Sequence, residues 1–145
     1  MTIIEAYNNF RNIDLLGIAQ DIVIYDGDLI TELQKDQLMY GKDATGEDVA
    51  PSYYSDAYAE MKQKMNSRPE TGTPDLRLTG EFYNGFYFDH DTLTVTSSAP
   101  ITEHLIKKYG KHIFGLNENT VSRYRQIFNP KLLAVVKAKI EGYDA

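Results

Sequence analysis

Apolar side chains recur along this chain at two different periods, and the switch between them maps its elements. Ile3, Ile4, Tyr7 and Phe10 stand at helical spacing, and Asp14 is placed to cap a second helix carrying Leu15, Ile18, Ala19 and Ile22. The run "DIVIYDG", 21–27, is β-branched enough to suit a short strand as well as a helix end. Asp28 then opens a looser stripe of Ile30, Leu33 and Leu38 that leads to Tyr40 and a stop at Gly41. "GKDATGEDVAPS", 41–52, is turn chemistry. From Ser55, the residues Tyr58, Met61 and Met65 lie along one helical side. A polar segment, 66–75, carries Pro69 and Pro74 and reads as an exposed loop.

At "EFYNGFYFDHDTLTVTSS" the period drops to two. Phe82, Asn84, Phe86 and Phe88 fall on one face and Tyr83, Gly85 and Tyr87 on the other. Asp89 to Thr92 supply turn formers, after which Leu93 and Val95 share a face opposite Thr94 and Thr96. The pattern predicts a β-hairpin over 76–98 with its Phe and Leu/Val face in the core. Its Tyr/Thr face is amphipathic, suited to a helix of the same chain or to a partner.

Helical signals return beyond it. Thr102 is placed to cap a short helix with Leu105, Ile106 and Tyr109, closed by Gly110. A connector follows with Ile113, Phe114 and Leu116 to bury, and Thr120 starts a helix through Tyr124, Ile127 and Phe128. Pro130 restarts or kinks it, and Leu132, Leu133, Val136 and Ile140 form the last stripe. The expectation is a single α+β domain over 1–145: mainly helical to 65, loop to 75, hairpin to 98, and C-terminal helices from 101.

Composition narrows the function classes. A chain of 145 residues with 42% hydrophobic and 25% charged residues is ordinary for one globular domain. Its formal charge of −6 disfavours tight binding to nucleic acid. The absence of cysteine excludes disulfides, thiolate metal sites and cysteine nucleophiles. The first residues lack the pattern of a signal peptide, and no segment has the apolar length of a membrane span. A soluble protein made in a cytoplasm is expected, with no membrane partner.

Candidate chemistry is thin. The three histidines, His90, His104 and His112, show no metal-ligand spacing. Asp89 and Asp91 are better explained by a turn than by a cation, and 43–48 lacks the ligand pattern of a calcium loop. The glycines compose no dinucleotide fingerprint, and Ser97 and Ser98 sit in no nucleophile elbow. A pair such as Glu81 and Asp89 is weak evidence for glycoside cleavage in a chain with 21 acidic residues. No catalytic set, metal or cofactor is expected.

The order of motifs is more informative. "QLMYGKDATGEDV", "YSDAYAEMK", "DLRLTGEFYNGF", "SSAPITEHLIKKYG" and "IFGLNENTVSRYRQIF" follow one another across about two thirds of the chain. In that order they resemble the virion-morphogenesis proteins of tailed bacteriophages, the neck or tail-completion family that joins head to tail. The resemblance implies a structural, non-catalytic virion protein: copies in a ring, portal or connector and tail proteins as neighbours, and packaged DNA passing through the lumen without specific binding. The residues nominated for subunit contact are Tyr83, Tyr87, Thr94 and Thr96 on the hairpin, with Pro69 and Pro74 on the loop. Two other readings stand beside it: a small hydrolase working through Glu81, Asp89 or His90, and a free interaction or inhibitor module using the Tyr/Thr face.

Overall fold

Helix α1, Ile3–Arg11, begins where a capping box allows it to. Thr2 Oγ1 accepts from the Glu5 N–H at 3.1 Å while the Thr2 N–H donates to Glu5 Oε2 at 2.7 Å, so two otherwise orphaned donors are satisfied. Helix α2, Leu15–Tyr25, starts at the expected cap, with Asp14 Oδ1 accepting from the Gly17 N–H at 3.0 Å. The ambiguous run at 21–25 is therefore helix. Ile18 and Ile22, one turn apart, are buried, and that burial outweighs the small helix penalty of β-branching. Asp26 ends α2, and α3, Gly27–Met39, follows at once.

The computed structural model describes residues 1–49, 76 and 80–142. The sequence-predicted helix from Ser55 and the proline loop lie outside those residues. The remaining elements are α4, Glu81–Asn84, then β1, Phe86–Asp89, and β2, Thr94–Ser97. After them come α5, Thr102–Tyr109, a 3-10 turn at Lys111–Ile113, and α6, Glu118–Ile140. Helices with one two-stranded antiparallel sheet make this a small α+β fold, as the sequence pattern indicates. Among the described residues no helix is long and apolar enough to cross a membrane.

Contacts divide the chain into two compact units, Met1–Asp26 with Arg123–Ala145, and Gly27–Ser122, although the sequence shows no boundary. The second unit holds most of the core: Ile30, Leu33 and Leu38 of α3 are buried, as are Val49, Phe82, Tyr83, Phe86, Val95, Ala99 and Ile113. A two-stranded sheet is marginal alone. Here α3 packs on both strands, and Phe86 meets Phe82 edge-on at 4.8 Å and Phe114 at 5.6 Å between ring centroids. In the first unit only Ile18, Ile22 and Asp26 are buried among the described residues.

Several expectations are corrected. The strand does not begin at Phe82: residues 81–84 form a helical turn, and only Phe86–Asp89 is extended. Gly80, at φ 85°, sets the chain into that turn. Gly85 then passes so close to the second strand that a Cβ there would lie 2.7 Å from the Ala99 nitrogen. Leu93 is not a strand residue but a turn residue at φ 56°. Thr102 does not cap α5. It is buried as the first helical residue, and its hydroxyl donates to the Ser97 carbonyl at 3.4 Å. Helix α6 does not restart at Pro130, which lies inside it; the Gln126 carbonyl that loses its donor is in an exposed stretch where water can replace it. Its start is capped by Asn117, whose Oδ1 accepts from the Thr120 N–H at 3.0 Å, and Leu133 of the last stripe is exposed.

Candidate functional site

The hairpin faces are fixed by register. Phe86 pairs with Ser97, Tyr87 with Thr96, Phe88 with Val95 and Asp89 with Thr94. Side chains directly opposite share a face, so Phe86, Phe88, Val95 and Ser97 turn inward, and Tyr87, Thr96, Asp89 and Thr94 turn outward. Tyr87 is 47% exposed, Thr94 exposed and Thr96 half-buried. The outer face is thus a tyrosine beside two threonines, as the alternation indicates for these three residues.

Tyr83 is not part of it. The helical turn at 81–84 rotates its ring into the core, 5.3 Å from the Phe86 centroid and 6.1 Å from Phe82. Its nomination for subunit contact is corrected: at 5% exposure it is a core residue. Pro69 and Pro74 lie outside the described residues.

Of the residues weighed for hydrolysis, Asp89 has a structural role. Asp89 Oδ1 accepts from the Asp91 N–H at 2.9 Å and the Thr92 N–H at 3.3 Å, closing the hairpin turn. His90 is exposed, its ring 5.8 Å from that of Phe88. Glu81 lies in the first turn of α4, and His104 and His112 are exposed on α5 and the 3-10 turn. Asp43 Oδ1 holds the Thr45 N–H at 2.8 Å and the Thr45 hydroxyl at 2.6 Å, so this stretch is an Asx turn. Among the described residues no group of three or more acidic or histidine side chains is arranged to hold a metal ion.

Two polar constellations escaped the sequence reading. Gln34 is fully buried on α3; its Nε2 donates to the Ile113 carbonyl at 3.2 Å and its Oε1 accepts from the Gly115 N–H at 2.7 Å. One turn on, Gln37 Nε2 donates to the Gly115 carbonyl and its Oε1 accepts from the Asn117 N–H, both at 2.9 Å. Two side-chain amides thus stand in for a neighbouring strand along 113–117, satisfying backbone groups with no sheet partner. The available signal is that Gln34 and Gln37 fall inside the arc of Ile30, Leu33 and Leu38 on one side of α3.

In the first unit, Asp26 is buried and accepts from the Tyr124 hydroxyl at 2.9 Å and the Lys131 ammonium at 2.5 Å. Lys131 also lies 5.4 Å above the Tyr25 ring. Burial, then the hydrogen bond to Asp26 and the negative charge beside it, holds the Tyr124 phenol well above the usual tyrosine range. This cluster ties α2 to α6 within the unit.

The most distinctive surface of the first unit is apolar. Ile3, Ile4, Tyr7, Phe10, Leu15 and Leu16 are each between 54% and 88% exposed, and no residue of α1 is buried. Beside them runs a groove of about 410 Å³ lined by Tyr7, Phe10, Arg11, Ile13, Leu15 and Val136. No protein-family model, curated protein or solved structure matches the chain.

Proposed function

We propose that the chain is a structural virion protein of a tailed bacteriophage, a ring-forming subunit of the neck or tail-completion assembly that joins head to tail. The observation that carries this reading is the run of uncovered apolar side chains from Ile3 to Leu16, more than a free-standing domain of this size has reason to expose. The motif order of the sequence supplies the family.

A closed ring needs heterologous contacts, hence two different complementary patches per copy. The α1–α2 surface is one candidate, and the outer hairpin face of Tyr87, Thr94 and Thr96 is the other. The net charge of −6 suits a lumen through which DNA passes without adhering. The virion is the proposed location, with portal or connector and tail proteins as the further neighbours.

A nonsense mutation early in the gene, within a phage that encodes it, tests the reading. DNA-filled heads and separate tails are expected to accumulate, and the intact gene supplied in trans should restore joined particles. Infectious joined particles made without the protein would overturn it.

A further inference from the structure

Helix α1 leaves its apolar stripe largely uncovered. Its residues that approach the protein are Ala6 and Asn9, three apart on one side, both half-buried. Asn9 Nδ2 donates to the Ile140 carbonyl at 2.8 Å, fastening that side to the end of α6. Next to them Ile3, Tyr7 and Phe10, spaced by four and three residues, form a stripe flanked by Ile4; all four are more than half exposed, and Tyr7 and Phe10 border the groove beside Val136. An amphipathic helix of a self-sufficient domain turns such a stripe to the core. Its ends are nevertheless well made, with a capping box at Thr2 and Glu5, so the outward stripe belongs to a properly formed helix rather than to a frayed one.

We infer that the α1 stripe, continued by Leu15 and Leu16, is the docking surface for a second copy of this chain. This deepens the ring reading and rests on it for the assembly that results. Area is the first argument. Six large side chains exposed to this degree present roughly 800 Å² together, the contribution of one partner to a standard stable interface. The groove bordered by Tyr7, Phe10, Ile13, Leu15 and Val136 gives the surface relief into which a partner's side chain fits.

Charge is the second argument, because it removes other occupants. A helix that lies on a lipid surface carries a basic polar face, whereas α1 has one acidic residue, Glu5, and one basic residue, Arg11, in a chain of net charge −6. The same balance disfavours nucleic acid. A ring contact joins unlike surfaces, so the surface that seats on α1 in the neighbouring copy is not α1 itself. The outward sheet face centred on Tyr87, an exposed aromatic flanked by threonines, is the surface of the second unit we assign to this role.

Sedimentation of the full chain across a concentration series, with electron microscopy of the same samples, tests the inference. The double variant Ile3→Glu with Tyr7→Glu should weaken self-association by about a hundredfold or more while leaving the melting temperature unchanged, since neither side chain is buried in the monomer. Tyr87→Ala should do the same. Mixing the two variants should restore one intact contact per pair and give species that stop at two copies. Three results would overturn the inference: a parent chain that stays monomeric throughout, α1 variants that associate as the parent does, or a large loss of melting temperature that shows the stripe covered by the chain itself. Tight binding of the parent to neutral or anionic vesicles would assign the stripe to lipid and overturn it as well. Association through α1 that ends at a dimer in the parent would uphold the contact and sink the ring, so the two readings fail separately.

Discussion

Replacing Gln34 is the sharpest test of how the second unit holds together. In Gln34→Ala the Ile113 carbonyl and the Gly115 N–H both lose a side-chain partner, in a site where Gln34 itself has no exposure. The buried Ile113 carbonyl left unpaired costs about 1–3 kcal/mol, water can reach the exposed Gly115 N–H, and the lost methylene and amide leave a cavity, so a total of about 2–4 kcal/mol is expected. For a chain of this size that lowers the melting temperature by on the order of 10 °C. Gln34→Glu refines the test. A carboxylate can still accept from Gly115 but cannot donate to Ile113, and it would be buried against a carbonyl dipole. Both effects raise its folded pKa above the unfolded value, so its protonated form, which can donate, is the one the fold favours. The stability it contributes is therefore full below the unfolded glutamate pKa and is lost as pH rises through the folded one. Thermal melts of parent and both variants at acid and neutral pH are the assay. Gln34→Glu should approach the parent in acid and fall well below it at neutral pH. A Gln34→Ala variant melting within about 2 °C of the parent, or a Glu variant with no relative pH dependence, would refute the reasoning.

Other outcomes follow from the same geometry. Tyr83→Ala should destabilise the second unit by about 3–5 kcal/mol while Tyr87→Ala leaves it folded, checked by chemical denaturation of the two variants side by side. Gly85→Ala should cost about 1–3 kcal/mol, because its Cβ would meet the Ala99 backbone nitrogen and the Ser97 hydroxyl, each at 2.7 Å; an unchanged denaturation midpoint would contradict that close approach. The Tyr124 phenol should ionise after ordinary tyrosines. Because its folded pKa is raised, its contribution is complete below the unfolded tyrosine pKa and lost at higher pH. Alkaline absorbance titration of the parent against Tyr124→Phe should show the latest component missing from the variant.

The sequence was legible where a local device has a local cause. Asp14 caps α2 and Gly110 closes α5 at φ 88°, and each residue type announces its position. The alternation of Tyr87, Thr94 and Thr96 against Phe86 and Val95 survives in the hairpin register. The pattern at Phe82 does not distinguish strand from helix, because positions four apart share a face in both, so Phe82 and Phe86 meet either way. Tyr83 separates the two, and its fate depends on Gly80 and Gly85 rather than on its own character. The α1 stripe shows the complementary limit. Periodicity establishes that a helix has an apolar side but not what covers it, and here the covering surface is not among the described residues of the chain. Gln34 and Gln37 were opaque because their partners are backbone groups some eighty positions away, as in the pairing of Gln37 with Asn117.

Cryo-electron microscopy of the neck of joined particles is the most direct test of the central claim. The account predicts this fold repeated in a ring between head and tail, with Ile3, Tyr7 and Phe10 of each copy buried against the next. A neck built entirely from other chains, or a ring in which that stripe still faces solvent, would contradict it.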